Sequence, residues 1–192
     1  MLENILSGIQ ENCKINDSLI KFGQIQISIN SNDLITTLEF LKDNESCQFR
    51  QLTDIAGVDF PEREKRFDVI YHLLSFKHNV RIRVKTEISE NAGIQSITQL
   101  FPAANWFERE AFDMYGIQFI DHPDLRRILT DYGFEGYPLR KDFPLTGNVE
   151  VRYDEMEKKV IYEPVKLQQD YRNFDTQSPW EGTDYVENKE KE

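Results

Sequence analysis

Glu110 and Asp113 stand three residues apart in the run Glu108-Arg-Glu-Ala-Phe-Asp113. On a helix that spacing brings both carboxylates toward one face. Paired carboxylates do general acid–base work when their surroundings split their pKa values, and they also bind hard cations. The competing reading is an ion-pair network, because Arg109 lies at i, i+4 from Asp113 and can neutralise it. Asp113 would also sit in the last turn of a helix ending at Gly116, where the dipole disfavours a negative charge. It therefore answers to something outside its helix, either a neighbouring basic segment or a partner chain. The structural reading is preferred over catalysis.

The basic side chains of the region are Arg126-Arg127 and Arg140-Lys141, interleaved with Asp124, Asp131, Glu135 and Asp142. A mixed field of this kind suits arginine forks clamping carboxylates, internally or across an interface, better than a phosphate site. His72, His78 and His122 are the only histidines and none is spaced with another as a metal pair. His72 falls inside a strand pattern, and His122 precedes Pro123 in a loop with the arginines just beyond. Cys13 and Cys47 are the only cysteines, too few for the four ligands of a usual iron–sulfur cluster. No glycine-rich phosphate loop, serine elbow or His-Glu-x-x-His run is present. A self-sufficient catalytic constellation is not visible.

Composition narrows the classes further. The chain has 192 residues and a formal net charge of −11, which disfavours a nucleic-acid binder that must neutralise phosphates. Mean hydropathy is −0.59. No apolar run approaches the roughly 20 residues that cross a bilayer, and the N-terminus lacks the pattern of a secretory signal. Membrane association would come through partners.

The elements that must position these residues follow from periodicity. Leu2, Ile5, Leu6 and Ile9 mark one helical face. A strand around residues 19–22 leads through Gly23 into a second with Ile25, Ile27 and Ile29 in alternation. The next helix has Asn30 or Ser31 as N-cap and the stripe Leu34, Ile35, Leu38 and Leu41. Residues 49–60 are ambiguous between strand and irregular structure. Residues 66–76 read as a central strand and 80–85 as its hairpin partner, with Val80, Ile82 and Val84 inward and Arg81, Arg83 and Lys85 outward. Residues 94–101 predict a short helix stopped by Pro102. Asn105 and Glu108 form a capping-box pattern for a helix closed by Gly116. Trp106, Phe107, Ala111, Phe112, Met114 and Tyr115 would bury most of it, leaving Glu108, Arg109, Glu110 and Asp113 on the remaining face. Residues 149–153 and 159–162 predict a small hairpin. The fold class is α+β: a two-layer domain over 1–120, with helices packed on a mixed or antiparallel sheet. A largely irregular, extended partner-binding arm over 121–180 and a charged mobile tail over 181–192 follow. A disordered tail is the alternative for 163–180.

Several motifs in order now carry a resemblance. Glu108-Arg109-Glu110, Asp113-Met-Tyr-Gly116, His122-Pro-Asp-Leu-Arg-Arg-Ile-Leu129 and Pro138-Leu-Arg-Lys-Asp-Phe-Pro144 resemble the signature of one family. That family is the thirty-kilodalton (C-type, ND9-type) subunit of the proton-pumping NADH–quinone oxidoreductase, respiratory complex I. The likeness runs from Arg66 to about Trp180, through Val149-Glu-Val-Arg-Tyr153 and Ser178-Pro-Trp180. It implies a non-catalytic peripheral-arm subunit whose domain is followed by an arm packed on the forty-nine-kilodalton (D-type) subunit, with the B-type and I-type subunits as further neighbours. By that resemblance FMN, iron–sulfur clusters, NADH and quinone are held elsewhere in the complex and none by this chain. Glu108, Arg109, Glu110, Asp113, His122, Arg126, Arg127, Arg140, Lys141, Asp142, Tyr171 and Trp180 are carried over as interface or structural residues. The chain would lie peripherally on the inner membrane, on the cytoplasmic side in a bacterium or the matrix side in a mitochondrion. The competing function is a stand-alone soluble enzyme using Glu110 and Asp113 as acid and base.

Overall fold

The computed structural model describes residues 2–167 and residue 169. Tyr171, Trp180, the 181–192 tail and most of the expected 163–180 arm lie outside them. The chain divides into two units, Met1–Leu145 and Thr146–Glu192.

The first unit is α+β. Helix α1 (Leu2–Asn12) buries Ile5 and Ile9. Strands β1 (Asp17–Lys21) and β2 (Gln24–Ile29) form a hairpin. Phe22 and Gly23 at its turn both have positive φ, as a tight turn matched to strand twist requires. Helix α2 (Leu34–Asp43) buries Leu34, Thr37, Leu38 and Leu41. The expected Asn30 or Ser31 N-cap is not formed: a 3-10 turn, Ser31–Asp33, intervenes, and Asn30 makes no side-chain cap. Its amide instead exchanges hydrogen bonds with Asn16. The ambiguous stretch is a strand, β3 (Gln51–Asp59), followed by β4 (Phe67–Ser75) and β5 (Val80–Ile88).

The sheet order is β1-β2-β5-β4-β3. The β2–β5 pair is parallel and the others are antiparallel, so the sheet is mixed. Ile25, Ile27, Ile29, Val69, Tyr71, Leu73, Val80, Ile82 and Val84 belong to one core with Ile5, Ile9, Leu34, Leu38 and Leu41. Each such aliphatic side chain contributes about 1.5–3 kcal/mol when fully buried. The inward set on β5 is as the alternation predicts, and Arg81 is exposed. Asn79 supplies the positive φ of the β4–β5 turn.

The expected helix over 94–101 is absent. Ile94–Gln95 is a two-residue strand, β6, paired in parallel with β7 (Phe119–Ile120). Ile94, Ile97 and Phe101 are buried as their helical spacing suggests, but the backbone donors go elsewhere. The Ile94 N–H binds Gln118 O, the Ser96 N–H binds Ile120 O, and the Ile97 N–H binds the Glu108 carboxylate. Tertiary partners take the bonds that a helix would use. Between β6 and β7 lies α3 (Ala104–Tyr115).

The second unit contains the predicted hairpin, β8 (Val149–Asp154) and β9 (Lys159–Pro164). Asp154 organises its turn by accepting the Met156 and Glu157 N–H groups.

Candidate functional site

Helix α3 ends where Gly116 takes a left-handed conformation, φ 78°, and donates its N–H to Phe112 O. A side chain at that position would meet Arg140 and Tyr137 at 2.7 Å, so glycine is required for both conformation and space. At its other end the expected capping box is not formed. The helix starts two residues earlier, after Ala103, with no side-chain cap. Glu108 turns inward instead of back toward Asn105.

The facing of α3 also differs from expectation. Glu108, Arg109 and Asp113 are buried, whereas Glu110 is exposed and Trp106 is 70% exposed. Hydrophobicity would bury the tryptophan first. The polar side chains lie inside because each finds hydrogen-bond partners on a distant segment.

Asp113 has the fullest set. Its Oδ2 accepts the backbone N–H groups of Ile128, Leu129 and Thr130 at 2.9, 2.7 and 2.9 Å. Its Oδ1 accepts the Thr130 hydroxyl at 2.7 Å, and Arg127 Nη1 approaches to 3.4 Å. Burial pushes this carboxyl up, but the Thr130 hydroxyl and the three amides outweigh it and hold the pKa below the ordinary value. Arg109 does not pair with Asp113. Its guanidinium donates to the carbonyls of Arg126 and Arg127 at 3.0 and 3.1 Å. The acid and the base thus grip opposite polarities of one loop backbone. Arg127 closes the joint by donating to Gly136 O, while Arg126 points outward to Asp124.

Glu108 holds the inner side. Its Oε1 accepts the Ile97 N–H at 2.8 Å and its Oε2 the Ser96 hydroxyl at 2.7 Å. Burial drives its pKa up to about 7 against those two hydrogen bonds. The His122 ring is also enclosed, with Nε2 3.9 Å from Glu108 Oε2. His122 Nδ1 accepts the Asp124 N–H, so the proton sits on Nε2 and is donated to Asn105 O. Among the described residues Tyr71 Oη is buried without a hydrogen-bond partner; burial, then the Glu108 charge, raises its pKa.

The second arginine pair makes a separate joint. Arg66 forks onto Asp59, Nε to Oδ1 at 2.7 Å and Nη2 to Oδ2 at 2.9 Å, and also reaches Glu90 and Asp142. Arg66 hydrogen bonding holds Asp59 below its ordinary value. Lys141 contributes its backbone N–H, not its ammonium, to Asp59 Oδ2 at 2.8 Å. Arg140 donates to Tyr115 O and Glu90 Oε1 and lies over the Phe67 and Tyr137 rings. Asp59, Arg66, Glu90, Ser96 and Thr130 were not among the predicted site residues. Nothing local to these residues names their partners, which lie elsewhere in the sequence.

These joints bring Arg109, Asp113 and Arg127 together, Glu108 with His122, and Arg140, Lys141 and Asp142 onto Asp59 and Arg66. Glu110 and Asp113 do not form a pair. The segment after residue 120 is consequently held in the first unit, which continues to Leu145, beyond the boundary expected at 120.

Fold and joints together define an α+β domain that carries an irregular loop pinned by buried charges at the end of its last helix. Comparison with known proteins makes that class specific. Residues 27–149 match the family described as respiratory-chain NADH dehydrogenase, 30 Kd subunit, and the chain belongs to that family. The C-type subunit of NADH-quinone oxidoreductase from Hyphomonas neptunium is 62% identical over 163 residues, covering 85% of this chain and 81% of that protein. Its counterpart in Methylobacterium radiotolerans is 60% identical, covering 87% and 78%. The one in Mesorhizobium japonicum is 59% identical, covering 90% and 86%. A chain in the structure of the membrane-bound sulfane sulfur reductase, an archaeal respiratory membrane complex, superposes with a TM-score of 0.66 at 25% identity. That match covers 74% of this chain and 85% of the other. No helix among the described residues is long and apolar enough to cross a membrane.

Proposed function

We propose that this chain is a non-catalytic, peripheral-arm subunit of a proton-pumping NADH–quinone oxidoreductase. It packs against the D-type subunit that contributes to the quinone site, with the B-type and I-type subunits nearby. It supports electron transfer from NADH to quinone by holding the electron-transfer subunits in register. FMN, iron–sulfur clusters, NADH and quinone are assigned to other subunits, and the membrane is reached only through the complex, on the cytoplasmic or matrix side.

One observation carries the non-catalytic reading: Asp113 is fully enclosed and saturated by loop donors. A general acid or base needs a free lone pair or proton directed at substrate. Asp113 has its lone pairs committed to the backbone, and Glu110 stands apart from it. This weighs against the stand-alone enzyme.

The β8–β9 hairpin supports the docking half of the proposal. The cross-strand pairs Val149↔Pro164, Val151↔Tyr162 and Tyr153↔Val160 share one face, and those two valines and Tyr153, with Val160 and Tyr162, are each more than half exposed. Two strands alone are marginal in water, and an exposed apolar face of this kind suits a docking contact.

Replacing Glu110 and Asp113 together tests the division of labour. The expected result is less assembled NADH-oxidising complex in native membranes, with turnover per assembled complex unchanged. Normal assembly with abolished turnover would reverse the assignment. Recovery of the chain solely as an active free monomer would remove the subunit reading altogether.

A further inference from the structure

The core lies on one face of the five-stranded sheet, and the other face carries mainly polar and charged side chains, with Ile70 and Leu74 of β4 among them. In its lower half these neutralise one another. Lys85 pairs with Glu87 at 2.9 Å and Asp68 at 3.6 Å, and Arg63 pairs with Asp68 at 2.6 Å.

The upper half is different. Arg81 lies opposite Leu74, and Arg83 opposite His72, on the β4–β5 ladder. Among the described residues neither guanidinium makes an ion pair or hydrogen bond. Lys21, at the same end on β1, pairs in register with Gln24 and has only the Phe22 ring beneath its ammonium. Leu19 is 50% exposed on that face. The two turns at this end carry Phe22 and Phe76, 87% and 73% exposed. Asp54, opposite His72, is the one acid of these rows.

In a chain with 34 acids and 23 bases, unpaired arginines beside exposed apolar side chains are a local excess in an otherwise repulsive field. Net charge −11 opposes approach of a nucleic acid or an anionic bilayer over a Debye length of about 8–10 Å. Discrete carboxylates held by a folded partner escape that repulsion, because they meet the arginines at contact distance and can be flanked by apolar groups.

We propose that the Arg81–Arg83 half of the open sheet face is a docking surface for a second protein chain. The partner would present two carboxylates about 7 Å apart, the spacing of alternate residues on a strand, with an apolar side chain to meet Leu74 beside Arg81. The proposal rests on the subunit reading above, since the partner is another subunit of the same complex. It assigns the sheet face, in the first unit, a contact separate from that of the hairpin.

Arginine footprinting of the wild-type chain with phenylglyoxal tests it without any substitution. Arg81 and Arg83 should react in the isolated chain and be protected roughly tenfold or more in the purified complex. The charge reversal R81E/R83E should leave the unfolding midpoint of the isolated chain in place and lower assembled complex about tenfold. R81K/R83K should keep most of it. Equal reactivity of both arginines free and in the complex would overturn the proposal. So would protection by vesicles of anionic phosphatidylglycerol alone, which would make the surface a lipid contact. If the wild-type chain retrieves no NADH-oxidising complex, the subunit reading fails; if it does and the arginines stay reactive, the sheet-face proposal alone fails.

Discussion

A single carboxylate oxygen of Asp113 gathers three consecutive backbone N–H groups, and its removal would strand all three. Asp113→Ala should therefore destabilise the first unit by roughly 3–5 kcal/mol, the range for breaking a buried charge out of its partners, read as a shift in urea midpoint. Restoring the anion from solution gives a finer test. Asp113→Gly leaves an amide nest of the kind that binds anions, and added formate or acetate should recover part of the loss; no recovery would mean that the nest collapses without its acid. Glu108 acts with opposite sign. Its folded pKa, about 7, lies above the ordinary 4.5, so the folded state binds this proton more tightly than the unfolded chain. That stability is fully present below pH 4.5 and is lost as pH rises to about 7, on the order of 3 kcal/mol in total. Asp113 and Asp59, whose pKa values are lowered, contribute stability that disappears in acid below their ordinary 3.8, so the windows do not overlap. Glu108→Gln can still accept from Ile97 and donate to Ser96, whose hydroxyl can turn to Thr98 at 2.9 Å. The variant should flatten the decline between pH 5 and 7 and be the more stable form at pH 8. An unchanged slope would identify another group as the one that titrates.

Helix α3 shows what local pattern can and cannot disclose. Its span, its stop at Gly116 and the inward alternation of β5 are set by backbone conformation and by burial of contiguous apolar residues, and both leave a period in the sequence. The faces of its charged residues leave none. Asp113 is inside because amides fifteen to seventeen residues downstream converge on it, and Glu108 is inside because the 96–97 backbone arrives with unsatisfied donors. The same cause removed the expected helix over 94–101 and the Asn105 capping box: a carboxylate that could have capped locally caps a distant loop instead. Arg140 was legible as an interface-type arginine, but its partners Tyr115 O and Glu90 lie far off in sequence. Gly116 joins the two levels, since it both ends the helix and leaves room for the Arg140 and Tyr137 side chains. Gly116→Ala should cost roughly 1–2 kcal/mol for the left-handed backbone and a further 1–3 kcal/mol for the crowding. Thermal unfolding measures the sum, and a loss below about 1 kcal/mol would show that Arg140 and Tyr137 yield freely.

At the scale of the whole chain, the described residues of the two units differ in what they bury. The first buries one continuous core and closes its loop with hydrogen-bonded charges, whereas the described residues of the second form a hairpin with an exposed apolar face. That contrast separates what each unit contributes. Substitutions in the first unit act on folding of the chain; substitutions on the hairpin's apolar face act on what covers it. Val151 and Tyr162 are directly opposed on that face and 57% exposed each. Replacing both by lysine keeps the strands extended and puts two charges where a partner must desolvate them. A charge left unpaired in an interface costs several kcal/mol. The double variant should leave the main unfolding transition of the isolated chain within about 0.5 kcal/mol of wild type, as expected for exposed positions. In membranes it should lower the chain's retention in the NADH-oxidising complex at least tenfold. Shifted unfolding with normal retention would place the hairpin's apolar face in the chain's own fold and leave the sheet face as the one remaining docking surface.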